Sequence, residues 1–366
     1  MSSHGSLGNV VDDESQDICL RVRWAHRGRS CPTRMNNIFS LQSAASVLYP
    51  QQQNTLAALA GLTGPAIPSP PRWIAVRQRF TQFHSNLRLT PLQQLDGYTK
   101  RSSVVSCLNR VYYGAADDNA NSFFIGSWGK DTAIRPPRDV DVYFVLPVSI
   151  YQRFQGYTRN RQSALLQEVK ATLATTFPST DMSGDGQVVL VNFASYNVEV
   201  VPAFALTTPG HYWICDTNNA GSYKETAPWA EVQHITDSDW ANAGNLRPLI
   251  RMLKAWQACC AVPIKPFQIE LLSASFLAQS PWRHKDWFYF DWLIRDFFAF
   301  IYHRANTSVI VPGTFESIAL GNAWQSRAAT AYHRAVKACE YEHANRVAEA
   351  GGEWQKIFGT DVPRVP

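Results

Sequence analysis

The segment Asp139-Val140-Asp141-Val142-Tyr143-Phe144-Val145 restricts this chain more than any other stretch of it. Its β-branched and aromatic residues predict a β-strand. In a strand residues i and i+2 share a face, so Asp139 and Asp141 point the same way, roughly 7 Å apart along the backbone. Two like charges side by side repel, and on an otherwise apolar strand they are costly unless a cation neutralises them. Two oxygens converging on Mg2+ supply that neutralisation.

Alone, the D-x-D pattern also occurs at solvated edges and turns, but two further features narrow its meaning. Phe123-Phe124-Ile125-Gly126-Ser127 reads as a strand stopping at a tight glycine turn, with Ser127 opening a short helix twelve residues before Asp139. Backbone N–H groups and a hydroxyl at a helix start form an anion site, although a simple strand-to-helix turn has the same pattern. Asn197-Val198-Glu199-Val200-Val201-Pro202 places a carboxylate among β-branched residues of another strand. A buried carboxylate without a partner is expensive, so Glu199 requires either a salt bridge or a metal. Two-metal phosphoryl transfer places such carboxylates around ions ~3.5–4 Å apart, one activating the attacking hydroxyl and one stabilising the leaving pyrophosphate. Asp139, Asp141 and Glu199 together predict that chemistry.

The rest of the chain supplies a frame. Residues 1–70 mix charge clusters with Ser, Gln, Ala, Gly and Pro and end in the breaker-rich run Gly64-Pro65-Ala66-Ile67-Pro68-Ser69-Pro70-Pro71, which predicts a loosely ordered extension and linker; Met35 offers a second start. A helical pattern begins with Val76, Phe80, Phe83 and Leu87. Thr90-Pro91 then gives an N-cap followed by proline at the first helical position. The long helix that follows carries Leu92, Leu95, Val104, Val105, Leu108 and Tyr112 near helical period, with Gly97 as a weak point.

Strands are expected at Ser122–Ile125, Val140–Leu146, Val188–Phe193 and Val198–Leu206, with a helix between Tyr151 and Thr175. From Trp240 onward the pattern is helical, over Leu246–Cys260, Phe267–Leu277, Trp287–Tyr302 and Ala323–Ala350. The expected fold class is α+β. A sheet with flanking helices occupies 71–235, and a helical lobe occupies 236–366.

Composition excludes several classes. With 45% hydrophobic residues, 17% charged residues, 12 Trp, 14 Tyr and 19 Phe, the chain has ample material for a packed core. The net charge of +5 is mild, but Arg72, Arg77, Arg79, Arg88, Lys100, Arg101 and Arg110 face only the single acid Asp96 between positions 72 and 110, a stretch that could meet a polyanion or form a solvated face. Seven scattered cysteines without a C-x-x-C pair fit reduced thiols in a cytoplasm. Asp12, Asp13, Glu14 and Asp17 stand where a secretory signal needs a basic start, and Asp291, Arg295 and Asp296 interrupt the most apolar window. Cys259-Cys260 has no third ligand at zinc spacing, and the histidines His211, His234, His284, His303, His333 and His343 are scattered singly.

Gly126-Ser127, Asp139-Val140-Asp141 and Glu199 match the G-S, D-x-D and third-acid pattern of the polymerase-beta nucleotidyltransferase superfamily. The longer segments GSWGKDTAIRPPRDVDVYFVL and NVEVVPAF, with NLRPLIRMLKAWQ and EWQKIFG, resemble the bacterial CD-NTases, relatives of cyclic GMP-AMP synthase that make cyclic oligonucleotide signals in antiphage defence. The resemblance runs from about Arg72 to Phe358. It implies a polymerase-beta-like sheet with a long spine helix, packed on a helical lobe that closes the nucleotide pocket.

By that resemblance Asp139 and Asp141 would hold two Mg2+ or Mn2+ ions, and Glu199 would complete the site near the acceptor hydroxyl. Gly126 and Ser127 would meet the donor triphosphate, Lys254 would reach it from a helix, and Phe267 would stack on a base. The residue pattern alone instead puts Lys254 on the solvent face of an amphipathic helix, where truncation would leave the fold undisturbed. Two departures stand out. Pro266 replaces the serine usual before the aromatic position and supplies neither hydroxyl nor backbone N–H. Glu199 is one methylene longer than the usual Asp.

The resemblance implies a cytoplasmic synthase that takes nucleoside triphosphates, ATP or GTP among them, to a cyclic di- or trinucleotide second messenger read by a separate effector protein. No nucleic acid and no membrane would be required. Two alternatives remain at this level: a transferase making linear oligonucleotides or extending nucleic-acid ends, and a catalytically silent nucleotide- or RNA-binding relative.

Overall fold

The computed structural model describes residues 72–218 and 220–366. The expected extension 1–70, with Cys19 and Cys31, lies outside the described residues. Residues from Pro70 onward form one compact unit.

Helix α1 (Val76–Leu87) and the spine helix α2 (Pro91–Tyr112) come first. Thr90 starts α2 as the sequence predicts: its hydroxyl accepts from the Gln93 N–H at 3.2 Å, and the Gln93 side chain accepts from the Thr90 N–H at 2.9 Å. A reciprocal cap of this kind is worth about 1 kcal/mol. Gly97 is a contact, not a weak point. A Cβ there would overlap the Trp128 ring and the Tyr196 hydroxyl, so only glycine lets α2 lie this close to the turn that carries Trp128. Leu92 and Leu95, expected inside, are 78% and 62% exposed, because helical spacing puts them on the side of α2 away from Gly97 and its contacts with Trp128 and Tyr196.

The sheet follows: β1 (Ser122–Phe124), the short helix α3 (Gly126–Gly129), β2 (Asp139–Val145), α4 (Val148–Gln155), α5 (Arg161–Thr176), β3 (Asp181–Asp185), β4 (Val188–Asn192), β5 (Asn197–Ala205), β6 (Tyr212–Asp216) and β7 (Ser222–Thr226). The single helix expected between Tyr151 and Thr175 is two. The break falls at Gly156, and α5 restarts where the Asn160 side chain accepts from the Ser163 N–H. Strands run in the order β1-β2-β5-β4-β3, with β6 beside β5 and β7 beside β6. Only β2 and β5 pair in parallel, and their register sets Asp141 opposite Glu199. On its edge away from β2 the long β5 serves two neighbours: its first half pairs with β4 and its end with β6.

Helices then dominate: α6 (Pro228–Ala241), α7 (Leu246–Cys259), α8 (Pro266–Leu277), α9 (Phe290–Tyr302), α10 (Gln325–His343) and α11 (Val347–Phe358), with a small hairpin of β8 (Ser308–Ile310) and β9 (Ser317–Ala319). The helix expected over Ala323–Ala350 is interrupted between His343 and Val347, at Asn345 with φ +54°. Two large apolar clusters result. One joins the sheet to α2 and α5, through residues such as Val104, Leu165, Val142 and Val200. The other joins α7 to α11, and it also takes in Val76, Phe80, Phe83 and Leu87 of α1. No helix among the described residues is long and apolar enough to cross a membrane.

Candidate active site

The parallel pair β2–β5 brings three carboxylates to one place. Oxygens of Asp139, Asp141 and Glu199 all lie within 4.8 Å of one another, each side chain half-buried. The glycine turn completes one wall. The Ile125 N–H donates to the Asp141 carbonyl at 3.0 Å, and the Trp128 indole N–H donates to the Asp139 carbonyl at 2.8 Å. Gly126 has φ +55°, and a Cβ on it would overlap the Asp141 carboxylate. That position therefore demands glycine twice, for its backbone conformation and for space.

The electrostatics record an unmet charge. Burial, then the neighbouring Asp139 and Glu199, pushes Asp141 up to about 8 against the pull of Lys130 and Lys254. Burial also raises Asp139, opposed by Arg138 and Lys254, and burial and Asp139 raise Glu199. Three hard oxygen donors that resist ionisation together fit a divalent cation such as Mg2+ or Mn2+, which would restore their ionised form. Half-burial leaves an approach for a ligand.

Lys254 corrects the sequence reading. It is only 5% exposed, and its ammonium donates to the Thr132 hydroxyl at 2.8 Å, the Thr132 carbonyl at 3.2 Å and Glu270 Oε1 at 2.7 Å. The helical pattern misleads because α7 is enclosed on all sides: every residue from Pro248 to Trp256 is buried, the cations Arg251 and Lys254 included. These cations grip one loop. Arg247 donates to the Lys130 carbonyl at 3.0 Å, Arg251 to those of Asp131 at 2.6 Å and Ala133 at 3.3 Å, and Lys254 to that of Thr132. Positions 247, 251 and 254 lie on one helix face, so α7 holds the residues just after the glycine turn by their backbone.

Four more residues belong to this region and escaped the sequence reading: Lys130, Thr132, Glu231 and Glu270. Lys130 is buried between Glu231 at 2.9 Å and Glu270 at 3.1 Å. Its ammonium also stands 4.4 Å from the centre of the Phe267 ring, so Lys130 takes one face of the aromatic expected to stack on a base. Lys130 and Thr132 were visible inside the segment between Ser127 and Asp139, and Glu270 follows Phe267 by one helical turn. Nothing local distinguished them from surface residues.

Ser127 is half-buried in α3, and its carbonyl accepts from the Thr132 N–H at 2.8 Å, which links the turn to the lysine cluster. Pro266 stands at the first position of α8, where Gln268 caps the preceding Lys265 N–H at 3.0 Å.

The basic stretch 72–110 does not form one free face. Arg79 and Arg101 are buried, Arg79 on Glu342 at 2.7 Å and Arg101 on Asn119 and Ser122; Arg77 pairs with Asp286, and Lys100 with Asp96.

Comparison with known proteins adds a domain match and a likeness of fold. Residues 74–239 match the Second Messenger Oligonucleotide or Dinucleotide Synthetase domain. No curated protein matches the chain. Among solved structures, CdnC of Escherichia coli MS115-1 in its complex with HORMA superposes with a TM-score of 0.57 at 18% identity, covering 78% of this chain and 98% of that one. CdnG of Bradyrhizobium diazoefficiens in complex with GTP gives 0.56 at 12% identity over 78% and 94% of the two chains. The Vibrio cholerae cyclic AMP-GMP synthase DncV, with its linear intermediate, gives 0.55 at 14% over 86% and 92%. At such identities these likenesses show a shared nucleotidyltransferase fold, and the domain match adds that residues 74–239 are similar to the second-messenger oligonucleotide or dinucleotide synthetases, the CD-NTases.

Proposed function

We propose that this chain is a metal-dependent synthase that joins nucleoside triphosphates, ATP or GTP among them, into a cyclic di- or trinucleotide, and that this product serves bacterial antiphage signalling through a separate effector. One observation carries the reading: three carboxylates from adjacent parallel strands converge within 4.8 Å, with burial raising the pKa of all three and the neighbouring carboxylates adding to the rise at Asp141 and Glu199. Such a cluster is stable in ionised form only with a cation inside it. Asp139 and Asp141 would hold two Mg2+ or Mn2+ ions, and Glu199 would complete the set near the acceptor hydroxyl. The ions would supply Lewis acidity, lowering the pKa of the hydroxyl and neutralising charge on the leaving group.

The chain's own groups would do the positioning. The Gly126-Ser127 turn and Lys254 would face the donor triphosphate, and Phe267, on the face not taken by Lys130, would stack on a base. The acceptor oxygen then forms a bond to the α-phosphorus, the bond to pyrophosphate breaks, and the hydroxyl proton leaves to solvent. One more such step closes a dinucleotide ring and two more close a trinucleotide ring, each releasing pyrophosphate. The sheet region 71–235 and the helical region 236–366 would act as two lobes around the nucleotides, in a cytoplasmic protein. The dispersal of the basic stretch supports a reaction that needs no nucleic acid.

The test is incubation with labelled ATP, GTP, CTP and UTP and either Mg2+ or Mn2+, without nucleic acid. We expect short, phosphatase-resistant products that require the metal. A ladder of phosphatase-sensitive oligomers, or activity only with a nucleic-acid acceptor, would overturn the cyclic product; no turnover at all would revive a silent nucleotide-binding protein.

A further inference from the structure

Glu270 is an unexpected group to find here. It lies on α8 one turn beyond Phe267, is 3% exposed, and brings a negative charge into a region meant for a polyanion. On net charge alone it should weaken triphosphate binding. Its contacts explain its presence. Oε1 accepts from Lys254 at 2.7 Å and from the Thr132 hydroxyl at 2.8 Å, while Oε2 accepts from Lys130 at 3.1 Å. The two ammonium groups come from different elements, α7 and the loop after α3, and one carboxylate spans them.

Each lysine needs that carboxylate for a different reason. For Lys254 it is the only acid in ion-pair contact among the described residues, and burial already lowers the basicity of this amine. Lys130 has Glu231 as a second partner; without Glu270 its ammonium would face that of Lys254 with nothing between them. Two buried like charges repel, so one would shed its proton or swing away. Both lysines are near enough to Asp141 to oppose the rise in its pKa, so their placement is felt at the carboxylate triad.

We propose that Glu270 is a positioning residue for the nucleoside triphosphate: its two oxygens hold the Lys254 and Lys130 ammonium groups charged and apart, Lys254 beside the triad and Lys130 against one face of Phe267. Glu270 touches no phosphate itself. This rests on the nucleotide-binding reading given above, and it adds a distinction: the lysine charge must be in the right place, not merely present.

Exchanging the pair tests it. Lys254→Glu combined with Glu270→Lys keeps an ion pair in the same buried space while moving the cation to the other helix. Thermal melting, binding of non-hydrolysable ATP and GTP analogues with Mg2+, and turnover would be measured for the exchange variant, for Glu270→Gln and for Glu270→Asp. We expect Glu270→Gln to weaken analogue binding at least tenfold, and to raise KM by more than it lowers kcat. Glu270→Asp should recover part of that binding. The exchange variant should recover melting temperature over Glu270→Gln but not analogue binding. Recovery of both would show that the pair only supports the fold and would overturn the proposal, as would unchanged binding in Glu270→Gln. Should Glu270→Gln fail to fold, the exchange variant decides alone. Wild-type protein that binds the analogues but turns nothing over would refute the synthase reading and leave this proposal standing; wild-type protein that binds no analogue would refute both.

Discussion

Two charged clusters share the loop between Gly126 and Asp139, and they are built on opposite terms. In the triad, three carboxylates meet with no basic side chain in ion-pair contact among the described residues, and burial makes every one of them harder to ionise than usual. Beside it, Lys130, Lys254, Glu231 and Glu270 balance charge for charge. Burial pushes Glu270 up, yet Lys130 and Lys254 together draw it down to about 2. The matched cluster is finished as it stands and holds α7, α8 and the loop in register. The triad, on the proposed reading, is completed by a bound cation. Uncompensated charge at the meeting point of rigid strands is therefore the better sign of function, and compensated charge next to it the sign of what keeps the site in shape.

The largest effect should come from emptying the triad of charge. Asp139→Asn with Asp141→Asn keeps side-chain shape, and we expect turnover to fall by at least about a thousandfold. The same variant should melt no lower than wild type in the absence of metal, because mutual repulsion has been removed. Mg2+ or Mn2+ should raise the wild-type melting temperature and leave the variant's unchanged. Turnover within about tenfold of wild type would break the contrast between the two clusters.

Breaking the matched cluster should instead damage the fold. Lys254→Ala leaves Glu270 buried with only Lys130 as a counter-charge, and removal of one partner from such a pair costs about 3–5 kcal/mol. Chemical denaturation would read this directly. The expectation drawn from helical pattern alone, a truncation with little effect on folding, does not survive the burial of this residue; a loss under about 1 kcal/mol would restore it.

A third site separates unmatched charge from function. Asp291 is fully buried in α9, and one of its carboxylate oxygens has no hydrogen-bond partner. Burial pushes it up to about 7, and Glu342 adds to the rise while Arg295 opposes it. The folded state thus keeps a proton that the unfolded chain gives up near pH 4. Stability from this group is highest below pH 4 and declines as pH rises to about 7, by on the order of a few kcal/mol. Asp291→Asn should remove that decline in melts across pH 5 to 8, with no change in metal response. A metal-induced stabilisation lost in Asp291→Asn would refute the distinction.

The smallest effect concerns the wall between the clusters. Gly126→Ala places a methyl group against Asp141 and forces a non-glycine residue to φ +55°, a strain of about 1–3 kcal/mol. We expect a modest fall in melting temperature with a larger loss of turnover. A variant as active as wild type would mean that the turn does not set the place of Asp141.

Much of this was legible in the sequence, where the controlling interaction is local. The Thr90 cap lies within four residues, the Gly126 turn within five, and the shared face of Asp139 and Asp141 follows from strand geometry alone. Legibility failed where neighbours distant in sequence decide. The short strands β3, β6 and β7 carry glycine or polar residues and owe their form to pairing with strands already in place. Leu92 and Leu95 follow helical period, yet among the described residues both stay exposed.

The sequence by itself determined which groups are available to the proposed chemistry: three acids on two strands, a glycine turn, and a lysine-bearing helix. Tertiary structure alone decided how they meet. A parallel pairing between strands nearly sixty residues apart sets Asp141 opposite Glu199, and no local pattern encodes that register. The same holds for Lys254, whose period on α7 says nothing about whether α8 will cover it or which carboxylate will be waiting there. Periodicity reports the face a residue occupies; burial and counter-charge depend on what the rest of the chain brings against that face.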